Sequence, residues 1–405
     1  MQNTAETGPD APIDTTPLLD DPYAACAALR EAGPVHRITG PDGQPAWLVT
    51  RYDDVRGALA DPRLSLDKRH ATTGSYRGFS LPPALDANLM NMDPPDHTRI
   101  RRLVARAFTP RRIEALRAPV RRIADELLDA MAANGRAELV TDYAGPLPIT
   151  VICDLLGIPT AHRRDFLAWS DALFTPDHPH AMKEAVGAML EFYTGLIAAK
   201  RAAPGDDLLS DLIAVRDDTP GDATTDRLTE DELTSLAFLI LFAGYETTVQ
   251  LIGNATLTLL DHPEKLDALR RNPAELGAFV EEFLRYEGPV ALATRRFPVE
   301  DIEIGGVRIP AGESVLLSLA SANRDPSRFP APDTFDPTRD LTGHLALGHG
   351  IHYCLGAPLA RMETETAIDA LISRFPGLRL AIPRDEVRHR RTIRTRGLIS
   401  LPVAW

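Results

Sequence analysis

The sequence predicts a mainly helical protein with a small β portion, and three observations carry that expectation. Helical periodicity dominates from Thr98 to Leu284, with expected breaks at Pro146, Pro148, Pro159, Pro176, Pro204 and Pro220. After Val290 the pattern shifts to short strands and Pro-rich turns. Helix then returns from Pro358 to Arg374. With 405 residues, 44% hydrophobic and 25% charged, the chain has the length and composition to bury a large core.

The elements follow in order. Met1 to Asp21 is polar and rich in Thr, Asp and Pro, without the basic start or apolar run of a signal peptide, and reads as a flexible arm. Ala and Leu spacing predicts a helix over Pro22–Ala32, and Ala46 to Thr50 reads as a strand. Lys68 to Asn88 has Gly, Ser and paired Pro without periodicity, so it reads as a long loop. Ile302 to Ile309 reads as strand around a Gly305-Gly306 turn. No repeat or Gly/Ser-rich linker divides residues 22–405, which are expected to form a single domain.

Composition excludes some functions. A net charge of -13 repels phosphates, so nucleic acid is not an expected partner. The apolar run Leu236 to Phe242 is too short to span a bilayer, so no membrane anchor is expected. Cys26, Cys153 and Cys354 are few, odd in number and far apart, which argues against a disulfide framework and fits a reducing, cytoplasmic location.

Leu347-Gly348-His349-Gly350-Ile351-His352-Tyr353-Cys354-Leu355-Gly356 leads into the helix at Ala357-Pro358. A cysteine just before a helix start meets unpaired N–H groups and the positive end of the dipole, and both favour thiolate. Gly350 and Gly356 allow a sharp loop that leaves room for a flat macrocycle. Zinc held with His349 and His352 is the competing reading, but no second Cys/His cluster completes its ligand set. Cys26 and Cys153 lie in amphipathic helices and read as small buried hydrophobes.

Upstream, Thr229-Glu230-Asp231-Glu232 is a capping box opening a long apolar helix, Leu236 to Leu260. Its centre carries Ala243-Gly244-Tyr245-Glu246-Thr247-Thr248. A carboxylate and two hydroxyls inside such a helix need partners or a role, and an ordinary buried helix with satisfied polar groups remains open on chemistry alone. Gly244 and the threonines predict a local bulge or kink.

The cysteine loop resembles the haem-binding signature of the cytochrome P450 family, matching it at Gly350, His352, Cys354 and Gly356. It departs at Leu347, where the family usually has Phe. The resemblance implies the P450 fold, a helical body with small β-sheets and haem between the oxygen-activation helix and the cysteine loop. It implies haem b (iron protoporphyrin IX) with Cys354 as iron ligand, a thiolate that promotes O–O cleavage. Ala243, Gly244, Glu246 and Thr247 are similar to the family's oxygen-activation motif, in which Ala243 and Gly244 leave space for O2. There Thr247 hydrogen-bonds oxygen, and Glu246 supplies protons through water. Glu282 and Arg285 match the Glu-x-x-Arg pair that braces the cysteine loop. Asn323 to Pro326 and Pro332 to Pro337 match the family's meander, with Thr334 where many relatives carry a basic residue. His97, Arg101, Arg296 and His352 match propionate contacts, whereas Arg99 and Arg102 read as solvated. Leu89, Met90, Leu239, Ala243, Val290, Leu292 and Ile393 would make an apolar substrate pocket.

The activity implied is insertion of one atom of O2 into an apolar small molecule of polyketide, macrolide, terpenoid or steroid type, in secondary metabolism. Electrons are expected from NAD(P)H through a ferredoxin and ferredoxin reductase, with Arg102, Arg106, Arg111 and Arg112 as a patch for an acidic partner. Two other classes share this ligation: a peroxide-driven or nitric-oxide-reducing enzyme, and a haem gas sensor. The Glu246–Thr247 pair disfavours both.

Overall fold

The computed structural model describes residues 12–72, 76, 81–105, 108–174, 180–217 and 227–405. Contacts group the chain into two compact units. The first comprises Met1–Phe79, Leu284–Cys354 and Arg390–Arg396, and the second Ser80–Phe283, Leu355–His389 and Gly397–Trp405.

The first unit holds most of the strands. Val35–Thr39 pairs antiparallel with Pro45–Val49, which runs parallel to Val315–Leu317, with Trp47 opposite Val315. Ala46, Leu48, Val49, Val315 and Leu317 are buried in its core. Ile302–Ile304 and Val307–Ile309 form the expected hairpin. Gly305 (φ 56°) and Gly306 (φ 81°) make its turn, using left-handed backbone that glycine adopts without steric cost. The helix Pro22–Ala32 falls on its expected residues, N-capped by Asp21. Residues 12–21 are less loose than the sequence suggests. The Ile13 N–H donates to Arg37 O (2.8 Å), and Thr16–Asp20 is helical with Leu18 buried. Edge pairing and one apolar anchor order a segment whose composition alone reads as an arm.

The second unit is helical around Glu230–Asp261, which packs against Pro83–Asp86, Pro146–Leu155 and Ala357–Arg374. Both halves of the capping box form: Thr229 N–H donates to Glu232 Oε2 (2.8 Å) and Glu232 N–H to Thr229 Oγ1 (3.1 Å). By length and composition alone this helix could cross a membrane, at a mean hydropathy of 1.5, so the short-run argument fails. Burial of 67% of that apolar window inside the protein marks it as a core helix instead.

Pro148 breaks nothing, because it lies in the first turn of Pro146–Leu155, where a missing N–H is harmless. Pro159 and Pro204 do separate helices, while Pro176 and Pro220 lie outside the described residues. A strand, Arg136–Glu138, interrupts the expected helical run and joins Pro402–Ala404 and Arg379–Leu380 in a small sheet. The loop after Lys68 contains a 3₁₀ turn, Lys68–His70, and the short helix Pro83–Asp86.

Candidate active site

Cys354 is partly exposed and lies just after the 3₁₀ turn Gly350–His352, ahead of Ala357–Arg374. That helix has no side-chain cap, so its first N–H groups are left for a ligand or water near the sulfur. The Cys354 N–H donates to Leu347 O (2.9 Å), so Leu347 closes the loop through its backbone whatever its side chain. Gly350 (φ 73°) needs to be glycine, since a Cβ would lie 3.1 Å from Leu59 O. Gly356 has an ordinary φ of −81°, so the second left-handed residue of the loop is Gly348 (φ 76°) rather than Gly356. The other two thiols are buried; burial raises Cys26 above its ordinary value and pushes Cys153 up to about 12. Among the described residues, no group of three His, Cys, Asp or Glu is placed to hold a metal ion.

Arg285 is 1% exposed and donates to three carbonyls: Asn323 O (3.0 Å), Pro332 O (2.8 Å) and Thr334 O (3.2 Å). The Thr334 backbone thus supplies an acceptor that needs no particular side chain. Asn323 passes the brace on, its Oδ1 accepting from Leu345 N–H (2.6 Å) at the entry to the cysteine loop. Glu282 is also buried.

The cations divide by unit. In the first, Arg296 is buried and reaches Leu64 O (3.4 Å), and His352 ends the 3₁₀ turn. In the second, His97 is buried in the helix Asp96–Ala105, and burial followed by the Arg101 charge lowers its imidazole below the ordinary value. Arg99 is not simply solvated: it pairs with Glu232 and donates to Arg227 O (2.9 Å), steadying the capping box. Arg112 pairs with Asp211, while Arg106 lies outside the described residues.

The oxygen-side helix is buried from Glu232 to Phe238 and again from Thr248 to Leu259. Between them it opens: Ala243 is exposed, and Leu239, Gly244 and Thr247 are partly so. Leu239, Ala243 and Thr247 share a face at i, i+4, i+8. Thr247 Oγ1 donates to Ala243 O (2.8 Å), and Glu246 is 7% exposed with Oε1 accepting from Gln250 Nε2 (3.0 Å). The helix stays α-helical through Gly244 without the expected bulge. A Cβ on Gly244 would lie 2.7 Å from Ile152 Cδ1, so the missing side chain lets the helix Pro146–Leu155 pack close.

The cytochrome P450 family model matches residues 151–390, more than half of the chain. The chain belongs to the cytochrome P450 family. It is 48% identical to the P450 monooxygenase PikC of Streptomyces venezuelae over 95% of this chain and 91% of that protein. It is 45% identical to the 6-deoxyerythronolide B hydroxylase of Saccharopolyspora erythraea over 98% of each. The solved structure of the P450 monooxygenase TamI bound to tirandamycin C superimposes with a TM-score of 0.88 at 45% identity, covering 97% of this chain and 99% of that one. This P450 therefore has the P450 fold and is a monooxygenase of secondary metabolism, fed by redox partners and carrying haem iron.

Its residues fit that group. Each unit offers residues suited to it: Cys354, Arg296 and His352 in the first, and His97, Arg101 and the uncovered stretch at Ala243 in the second. In this P450, Leu89 is buried and Met90 is partly exposed; Asn88, tied to Ser235 (3.3 Å), holds their turn beside the long helix. Nothing in the sequence around Asn88 signals that role. Leu292 and Ile393 are both partly buried. They pack on the cluster of Leu18, Cys26, Ile38 and Leu48 and line a small cavity with Leu18, Cys26 and Leu48. Val290 bridges to Thr395 and packs on the core of the sheet unit.

Proposed function

We propose that this P450 oxygenates an apolar polyketide or macrolide skeleton in the cytoplasm, hydroxylating or epoxidising it. The cofactor is haem b held by the Cys354 thiolate, with His97, Arg101, Arg296 and His352 on its propionates. Electrons come from NAD(P)H through a ferredoxin reductase and a ferredoxin. Bound there, haem iron supplies dioxygen activation. The observation that carries the reading is the uncovered stretch of an otherwise buried helix, with Ala243 exposed and Glu246 and Thr247 beside it.

The chain's own residues handle the protons. The Thr247 hydroxyl donates to Ala243 O, so its lone pairs face outward and hold a proton-bearing water. Glu246, buried on the same turn, exchanges protons with that water and is replenished from solvent. Leu89, Met90 and Leu239 offer the apolar contacts for substrate. Polyketide and macrolide chemistry is supported by two names among the relatives, the 6-deoxyerythronolide B hydroxylase and the polyketide biosynthesis P450 PksS, beside a vitamin D(3) 25-hydroxylase whose name points to a steroid-like molecule.

Reconstituted turnover with a ferredoxin, its reductase, NADPH and isotopically labelled dioxygen tests this. A macrolactone panel yields product carrying one labelled oxygen, and Thr247→Ala diverts NADPH electrons to hydrogen peroxide, cutting product by ~10²–10⁴-fold. Unlabelled product, or undiminished product from Thr247→Ala, contradicts the proposal.

A further inference from the structure

Gln250 lies one helical turn beyond Glu246 and is 1% exposed. Its Nε2 donates to Glu246 Oε1 (3.0 Å), and its Oε1 accepts from the Leu398 N–H (2.7 Å). A backbone N–H only donates, so the amide oxygen must face Leu398 and the amino group must face Glu246. The reverse orientation sets donor against donor. Gly397 completes the arrangement: a Cβ there would lie 2.5 Å from Gln250 Cδ and Oε1 and 2.7 Å from Cγ.

We propose that Gln250 is the positioning residue for Glu246, a clamp that ties the acid to the backbone of residues 397–398 and fixes the atom through which it exchanges protons. This rests on the reading of Glu246 as proton donor. A glutamate has three rotatable side-chain bonds, and proton transfer through water requires hydrogen-bond distances at each step. Without the clamp, Glu246 leaves the geometry in which Thr247 and a shared water are within reach. The sequence cannot show this, because Leu398 is 148 residues from Gln250.

The test uses the haem-loaded full chain with its redox partners and reads product and hydrogen peroxide per NADPH across pH. Hydrogen exchange at the Leu398 amide is the second readout and needs no turnover. Gln250→Leu lowers product per NADPH about tenfold or more, the lower end of what one hydrogen bond to a charged group is worth, and exposes the Leu398 amide to exchange. Gly397→Ala alters no residue of the long helix, yet pushes the end of Gln250 aside and moves both readouts the same way. Gln250→Glu keeps the Leu398 amide protected but sets a second carboxyl against Glu246, so the pH profile of coupling moves upward. In a Glu246→Ala background, Gln250→Leu has no further effect, because it acts through Glu246. Equal losses in both backgrounds reduce Gln250 to packing and overturn the proposal. Wild-type yield from Glu246→Ala overturns the relay reading and the clamp together. A damaged Glu246→Ala beside an unaffected Gln250→Leu overturns the clamp alone.

Discussion

Glu363, in the helix that follows Cys354, is 1% exposed, and its Oε2 has no hydrogen-bond partner among the described residues. Burial raises its carboxyl well above the ordinary value, so the folded protein holds a proton there that the unfolded chain releases. The linkage sign follows: below the unfolded pKa of about 4.3 the group costs no linkage energy, and stability falls as pH rises from there toward the folded pKa. Glu363→Met removes the proton and the unpaired oxygen at similar volume, so it is expected to gain about 1–3 kcal/mol at pH 8 and less at pH 5. Thermal unfolding of both forms at the two pH values checks this; a variant less stable at both would contradict it. Gly244 teaches a related lesson. Its identity reads from sequence as room for a ligand, and the close approach of Ile152 gives the same glycine a packing role as well.

At the scale of elements, the most legible parts were those with local causes. The capping box, the Gly305-Gly306 hairpin and the helix after Cys354 each depend on residues within a few positions, and each formed where the sequence placed it. What was illegible depends on distant backbone. The acceptors of Arg285 are carbonyls 38, 47 and 49 residues away, and a carbonyl carries no signature in sequence. The same holds for Leu292 and Ile393, whose apolar character fits a substrate pocket and a structural cluster equally well. The brace predicts a sharp asymmetry between two basic residues. Arg285→Lys keeps the charge but loses the planar fork, leaving buried carbonyls unpaired at about 1–3 kcal/mol each. Expected are a lower unfolding temperature and less haem retained per chain after gel filtration; a lysine variant matching wild type in both would show that the three carbonyls are satisfied without the guanidinium.

For the whole molecule, the family and its chemistry were legible because the P450 motifs are short, ordered and spread along the chain, so their joint occurrence outweighs the weakness of each. The substrate was not, since the residues that would contact it are apolar side chains whose partners are set by tertiary packing. The proposed chemistry depends on one ligation, the Cys354 thiolate on haem iron. The direct measurement is the absorption spectrum of the reduced, haem-loaded protein under carbon monoxide. Wild type, Cys26→Ser and Cys153→Ser are expected to show the long-wavelength band of thiolate-ligated haem, and Cys354→His to lose it while still binding haem. A thiolate band that survives in Cys354→His would contradict the account at its centre.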